Sequence, residues 1–214
     1  MSKISLEYKQ FSSQDTNPAW QMDVILASTS PYRKRLLERL QISFRCLAPG
    51  TDESPLPGEL PAALAQRLAL AKAQSIAALH RDALVIGCDQ VASIEGCIMG
   101  KPGSFDRAAS QLRSCSGRDV QFHTALALVS MNRGLERFHV EPFSVRFRTL
   151  SDTRIIDYLI REQPYDCAGS FKVEGLGIAL FEYLAGNDPT ALEGLPLIKL
   201  TELLGEAGVD ILRP

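Results

Sequence analysis

Residues 24–37, VILASTSPYRKRLL, contain several hydroxyl and basic side chains that could bind a phosphate group. Here an apolar run leads through small hydroxyl residues and Pro31 into Arg33, Lys34 and Arg35. Cations in the first turn of a helix are disfavoured by the helix dipole unless an anion binds beside them. The stretch therefore indicates either an anion-binding helix start or a solvated basic face, and the helical spacing alone favours the solvated face.

Two carboxylates could hold a hard cation or take a proton from water. Asp89 follows the apolar run ALVIGC, which predicts a strand buried on both faces and ending at this carboxylate. Ligands of open α/β sheets lie beyond the carboxyl ends of strands, but an aspartate there is also a frequent turn former. Glu53 lies in the proline-rich loop PGTDESPLPGELP, and loops of this length are often functional.

Other residue patterns are ambiguous or can be rejected. Lys72 in an alanine-rich stretch and Lys101 between a glycine and a proline are each, taken alone, typical of surface lysines. GCIMGKP has a proline where a Walker A loop needs a hydroxyl residue for Mg²⁺, and the chain has no complete dinucleotide-binding glycine motif. His80, His123 and His139 are too far apart for a His-x-x-x-His metal motif.

The composition limits the class of protein. Of 214 residues, 45% are hydrophobic and 22% are charged, as in an ordinary globular protein. A formal net charge of -2 and a pI of about 6.0 give no overall attraction to nucleic acid or to an anionic membrane. The five cysteines are scattered without a Cys-x-x-Cys pair, which favours reduced thiols over disulfides or a zinc site. Because no apolar leader or membrane-length run occurs, the sequence predicts a cytoplasmic protein without a membrane or nucleic-acid partner.

The elements that must position these residues alternate between strands and helices. The apolar and turn patterns predict the strands DVILA, ISFRCLA, ALVIGCDQ, VQFHTALALVSM, LERFHVEPFSVRFRTL and GLGIALFEYLAG, a hairpin VASIEGCIMG, and helices beginning at Pro31, Leu60, Phe105, Asp152 and Pro196. The hairpins in the middle favour an α/β protein with a mixed twisted sheet flanked by helices. Residues 1–22 are predicted to be a flexible tail, and residues 23–214 a single domain.

Several stretches, taken in order, resemble the Maf family of nucleotide pyrophosphatases over nearly the whole chain. They are LASTSPYRKRLL, TDES, RLALAKAQS, VIGCDQV, GKP, HTALAL, AGSFKVEGLG and GLPLIKL. Within that family, STSP followed by an aromatic residue, DQ in place of DT, and the GSFKVEG block are similar to the YceF-type branch. The resemblance implies a Maf/ITPase-like fold with two lobes and a central cleft, often dimeric.

The resemblance also implies an activity: hydrolysis of a nucleoside triphosphate to the monophosphate and pyrophosphate, with a divalent metal such as Mg²⁺, Mn²⁺ or Co²⁺. Matching the motifs of the family to this sequence implies that Asp89 is the catalytic residue. It also implies that phosphate is bound by Ser28, Arg33, Lys72 and Lys101, and that the metal is bound by Glu53 and Asp89. Lys34 and Arg35 are interpreted as surface charges. Asp89 suits either general-base or metal-ligand chemistry, and both roles stay open.

Base selection is expected to depend on Tyr32, Gln90 and Glu174, which stand where another branch of the family has arginine, threonine and glutamine. A 7-methylated guanine is cationic, so an aromatic ring would attract it and a carboxylate could accept from its N–H donors. The hypothesis is therefore a preference for 7-methyl-GTP. The alternatives are a non-catalytic nucleotide sensor or cell-division regulator and a nucleic-acid-binding module, the latter disfavoured by the net negative charge.

Overall fold

The computed structural model describes residues 22–213. Its strands and helices are β1 (Val24–Ala27), α1 (Pro31–Glu38), β2 (Arg45–Cys46), α2 (Pro61–Leu79), β3 (Leu84–Ile94), β4 (Cys97–Met99), α3 (Phe105–Cys115), β5 (Asp119–Ser130), β6 (Leu135–Phe147), α4 (Asp152–Glu162), β7 (Phe181–Gly186), α5 (Pro189–Glu193) and α6 (Leu197–Glu206). Two short 3-10 helices occupy Ala168–Ser170 and Leu176–Leu180. Apart from Met22, the predicted tail lies outside the described residues.

One mixed sheet organises the fold, which confirms the predicted α/β class. The strand order is β2-β1-β3-β5-β6-β7, with β4 paired to β3. Strand β1 runs parallel to β2 and β3, whereas β3, β5, β6 and β7 are successively antiparallel. The parallel part and the antiparallel part therefore meet at β3.

The hydrophobic core changes partners along β3 and β5. Leu84, Ile86 and Cys88 of β3 pack in a cluster with α1 and α6, and α2 covers the opposite face of the same part of the sheet. Further along β3, Ala92 and Ile94 pack instead with α3, α4 and the aromatic residues of β5 and β6. Gln90 lies between Cys88 and Ala92 on the same face of β3, where the apolar packing changes from one cluster to the other and a polar side chain can be accommodated.

The structure corrects four details of the predicted elements. Of the predicted strand ISFRCLA only Arg45–Cys46 forms a strand, β2. Strand β3 continues through Asp89 to Ile94 because β5 pairs with it from Val85 to Ser93. Most of the stretch GLGIAL, from Leu176 to Leu180, is a 3-10 helix in which the Phe181 amide donates to the Ile178 carbonyl, and only the following FEYLAG is a strand. Helix α5 was not predicted. At five residues it is too short to show helical periodicity.

Gly87 allows α2 to approach the sheet closely. A Cβ atom at this position would lie 2.2 Å from the carbonyl oxygen of Ala69 and 2.8 Å from the Cβ of Ala73. Both of these residues belong to α2, Ala69 about one turn before its buried Lys72 and Ala73 directly after it. The absence of a side chain at Gly87 therefore sets the spacing that brings α2 against β3.

Replacing Gly87 with alanine is expected to lower the free energy of unfolding by about 1–3 kcal/mol, because the new methyl group meets helix backbone that cannot move alone. Urea unfolding of the purified variant measures this. Gly205→Ala in α6 is the matched control, since a Cβ there meets nothing within 4 Å. The control should be neutral or stabilising by up to about 1 kcal/mol. Equal stability of Gly87→Ala and wild type would contradict the close approach.

Candidate active site

A cavity of about 310 Å³ brings the predicted site residues together. It opens beside the loop that follows β1 and is lined by Ser28, Tyr32, Arg33, Glu53, Lys72, Gln90, Lys101 and Glu174, among others. Asp89 does not line the cavity directly but is hydrogen-bonded to Lys72, which does. Residues that the sequence places in six separate stretches thus share one site.

Asp89 lies inside β3, so the prediction that a strand ends there was wrong. Its parallel neighbour β1 does end nearby, with Ala27 opposite Gly87. Asp89 is therefore two residues beyond the end of β1. Alternation along the strand places its side chain on the same face as Gly87, the face that α2 covers. Asp89 as a whole is 7% exposed.

Lys72 bridges the two predicted acidic site residues. Its Nζ donates to Oδ1 of Asp89 at 2.6 Å and is also paired with Oε1 of Glu53. The Lys72 side chain is only 5% exposed. A buried charge requires a partner, so the ammonium and the Asp89 carboxylate depend on each other. Lys72 is accordingly not a surface lysine.

Glu53 is held ionised by the surrounding cations. Burial raises its pKa, but the hydrogen bond and charge of Lys72, together with the charges of Lys101 and Arg33, outweigh burial and leave the pKa below its ordinary value of 4.5. The carboxylate therefore carries its charge at neutral pH.

The hydroxyl-rich loop after β1 is folded by its own side chains. Ser28 Oγ accepts from the Ser30 amide at 3.1 Å, and Ser30 Oγ caps α1 by accepting from the Arg33 amide at 3.4 Å. Pro31 occupies the first helical position, where a missing amide hydrogen costs nothing. These contacts fix the start of α1, and with it the Arg33 side chain.

The charges that follow Pro31 have different surroundings. Nε of Arg33 donates to the Gly194 carbonyl at 3.0 Å, and within residues 22–213 its terminal nitrogens have no hydrogen-bond partner. Lys34 is exposed and pairs with Glu38, as expected of a surface charge. Arg35 is exposed too, but its guanidinium lies 5.2 Å from the centroid of the Tyr32 ring. The interpretation of Arg35 as a purely solvated charge was therefore incomplete, since it covers one face of Tyr32.

The part of the cavity beside Tyr32, called its acidic end below, carries three carboxylates, with Arg35 and Arg39 close by. Asp166, Glu174 and Glu193 line it, and the Tyr32 hydroxyl donates to Oδ2 of Asp166 at 3.4 Å. Burial raises the pKa of Glu193, the charge of Arg39 at 3.9 Å and that of Arg35 oppose the rise, and the charge of Glu174 adds to it. Sequence reasoning missed Asp166 and Glu193. Asp166 lies three residues before the GSFKVEG block that did attract attention, whereas Glu193 had no local signal.

The loop that carries Glu53 is anchored by an ion pair that was also missed. Arg67 of α2 donates from Nε and Nη2 to the Glu59 carboxylate at 2.7 and 2.8 Å, and Nη2 also reaches the Ser54 carbonyl at 3.0 Å. Glu59 in turn accepts from the Leu56 amide at 3.0 Å. The Arg67 hydrogen bonds are the main cause that lowers the pKa of Glu59 to about 2.

The fold and the cavity together define an α/β protein with a cleft lined by both cationic and acidic side chains. The chain belongs to the Maf family, because the family model described as Maf-like protein matches residues 23–207. This confirms the resemblance drawn from the sequence.

Curated relatives cover most of this chain. The 7-methyl-GTP pyrophosphatase of Nitrosococcus oceani is 54% identical over 189 residues, which are 88% of this chain and 95% of its own. The proteins of the same name from Polaromonas sp. and Thiobacillus denitrificans are 52% and 53% identical over 188 and 189 residues, covering 88% of this chain and 86% and 94% of theirs. Among solved structures, the Staphylococcus aureus Ham1 protein matches 58% of this chain and 71% of its own, with a TM-score of 0.43 and 15% identity.

The Glu59–Arg67 ion pair predicts a pH-dependent contribution to stability. The pKa of Glu59 falls from its ordinary value of 4.5 to about 2 in the folded protein. The contribution is therefore complete above pH 4.5 and is lost as the pH falls toward about 2. Glu59→Gln should lower the free energy of unfolding near neutral pH, and its difference from wild type should shrink on acidification. Urea unfolding across this range measures the difference, with Glu182→Gln on the exposed edge strand β7 as control. A difference that does not change with pH would contradict the assignment.

Proposed function

We propose that this chain is a nucleoside triphosphate pyrophosphatase that hydrolyses the bond between the α- and β-phosphates, with 7-methyl-GTP as its preferred substrate. The observation that carries the proposal is the Lys72–Asp89 pair beside Arg33 and Lys101, which combines a buried carboxylate with cations suited to a polyphosphate. The names of the relatives support the same activity and the same nucleotide.

The reaction needs positive charge more than it needs covalent chemistry. Water attacks the α-phosphorus, the bond to the bridging oxygen breaks, and pyrophosphate leaves with that oxygen. Arg33, Lys72 and Lys101 neutralise the charge that develops on the phosphates. The terminal nitrogens of Arg33 are directed to this task because its Nε is held by Gly194.

Asp89 has one carboxylate oxygen left for the reaction. Oδ1 bonds to Lys72, and Oδ2 makes no hydrogen bond with any described residue. Oδ2 can take a proton from the attacking water or bind a metal ion, so the two roles inferred for this residue use the same atom.

The proposal includes a divalent cation, Mg²⁺, Mn²⁺ or Co²⁺, held by Glu53 and Asp89. Both carboxylates converge on the Lys72 ammonium, so both can reach a cation in the same region. Among residues 22–213 no group of three or more acidic, histidine or cysteine side chains suits a metal ion. Two carboxylates fit Mg²⁺ only when water and substrate phosphate complete its octahedral shell. The bound cation would supply Lewis-acid charge on the phosphates.

Base preference follows from the acidic end of the cavity. A 7-methylguanine ring is cationic, and it would stack on the face of Tyr32 that Arg35 leaves uncovered. The carboxylates of Asp166, Glu174 and Glu193 favour the same positive charge. A triphosphate carrying a cationic base thus matches the cavity at both ends.

The oligomeric state and the cellular location of the protein stay predictions. We propose a homodimer and a cytoplasmic location, following the sequence interpretation. None of the helices within residues 22–213 combines the length and the apolar character needed to cross a bilayer.

Asp89→Asn is expected to lower kcat for pyrophosphate release from 7-methyl-GTP by about 10²–10⁴-fold, because the amide can neither take the proton nor bind the cation well. Nucleotide binding should persist, since Arg33 and Lys101 are unchanged. Wild type should release pyrophosphate only after a divalent metal is restored to the chelated protein. Asp106→Asn on the exposed side of α3 is the matched control. Binding without release from any nucleotide by wild type would favour the sensor.

Tyr32→Arg should reduce the preference for 7-methyl-GTP over dTTP and UTP by about tenfold, because a cation replaces the ring that attracts the cationic base. The measurement is the ratio of kcat/KM for the three nucleotides. Tyr32→Phe keeps the ring and is expected to keep most of the preference. Unchanged ratios in Tyr32→Arg would remove this residue from base selection.

A further inference from the structure

We propose that Thr124 is a positioning residue that fixes the carboxamide of Gln90, so that its oxygen and not its amino group faces the substrate cavity. The inference rests on the proposed function and deepens it. It assigns to the site a selectivity for bases that present an N–H donor to this oxygen.

Three acceptors surround the carboxamide nitrogen of Gln90. Nε2 lies 3.0 Å from Thr124 Oγ1, 2.8 Å from the Ala191 carbonyl oxygen and 3.1 Å from the Leu192 carbonyl oxygen. An amide nitrogen has two protons, so one of them is shared. The reversed carboxamide would place Oε1 against two carbonyl oxygens that can only accept. The two carbonyls at the end of α5 therefore favour a single orientation.

The Thr124 hydroxyl strengthens this choice. It donates its own proton to the Ala191 carbonyl at 2.9 Å, which leaves its oxygen as an acceptor toward Gln90. Thr124 is fully buried, and it lies directly opposite Gln90 in the pairing of β3 with β5. Water cannot easily replace the hydroxyl in this position. Because the Thr124 hydroxyl gives its proton to the Ala191 carbonyl, it can only accept from Gln90, so it bonds to Nε2 and not to Oε1.

The fixed orientation leaves Oε1 of Gln90 available to a ligand. Gln90 lines the cavity, and its Oε1 makes no hydrogen bond within residues 22–213. An acceptor at this place can pair with the N1–H or the amino group of a guanine-type base. Adenine has an acceptor at N1 and no amino group at C2, and its 6-amino donor stands where guanine has O6, so an acceptor placed for N1–H or the 2-amino group of guanine finds no donor in adenine. A site built to bind an N–H group rejects an analogue that lacks it.

The same end of α5 also orients the phosphate-binding side of the cavity. The Gly194 carbonyl accepts from Nε of Arg33 at 3.0 Å, two residues after the Leu192 carbonyl that accepts from Gln90. Thr124 thus belongs to a set of hydrogen bonds that holds a base-facing and a phosphate-facing residue against one short segment.

Thr124→Val tests the inference, because valine keeps the shape of threonine and removes the hydroxyl. The ratio of kcat/KM for 7-methyl-GTP to that for ATP should fall about tenfold, mainly through a higher KM for 7-methyl-GTP. Thr124→Ser keeps the hydroxyl and should restore the ratio to within about twofold of wild type. Ser130→Ala is the matched control, since Ser130 is another fully buried hydroxyl of β5 and lies far along the strand from Gln90.

A double-mutant cycle separates positioning from general structure. In a Gln90→Met background, which has no carboxamide to orient, Thr124→Val should change the ratio no further. Additive effects of the two substitutions would overturn the inference.

If Thr124→Val does not fold, Gln90→Glu serves instead. It puts an oxygen against the two α5 carbonyls and should lower the ratio, although a carboxylate is a good acceptor for guanine. An unchanged ratio in Gln90→Glu would overturn the proposal.

The two proposals can fail separately. A wild-type protein that releases no pyrophosphate from 7-methyl-GTP contradicts the proposed function, and the ratio of calorimetric dissociation constants for 7-methyl-GTP and ATP then provides the same comparison for Thr124. A selective wild type with an equally selective Thr124→Val variant contradicts only the positioning role.

Discussion

The buried ion pair between Lys72 and Asp89 is the constraint on which the site depends. Burying an ammonium or a carboxylate without a partner is costly, and Lys72 and Asp89, both buried, are partners for each other. The pair forms only because α2 lies close to β3, and α2 lies close because Gly87 has no side chain to separate them. The Lys72 ammonium thus depends on the close packing of α2 against β3, and it holds both Asp89 and Glu53 in the site.

The cavity carries two groups of charged side chains. Arg33, Lys72 and Lys101 suit a polyphosphate, whereas Asp166, Glu174 and Glu193 suit a positively charged ring, with part of the charge of Glu193 offset by Arg39. Arg35 covers one face of Tyr32, so a ligand ring would have to stack on the other face. A nucleotide with a neutral base would match only the cationic group. Electrostatics therefore gives a physical basis for the proposed substrate that does not depend on any single contact.

Helix α5 connects the two ends through backbone atoms. Its last carbonyls accept from Gln90 and Thr124, and the following Gly194 accepts from Arg33. The segment is itself fixed by Asp188, which accepts from Thr190 and from the Ile198 amide at the start of α6. Because backbone carbonyls are present in every residue, a sequence pattern gives no indication of this role.

The sequence alone determined the local features of this protein and, through its ordered motifs, its family. The serine cap and Pro31 begin α1, the alanine-rich periodicity forms α2, and the motif residues that the sequence proposes for phosphate binding line one cavity. Only the tertiary structure decided that Asp89 lies within a strand, that Lys72 is buried between two carboxylates, and that Asp166 and Glu193 complete the acidic end. The reason is that these features depend on distances between segments far apart in the chain, and local periodicity does not encode such distances.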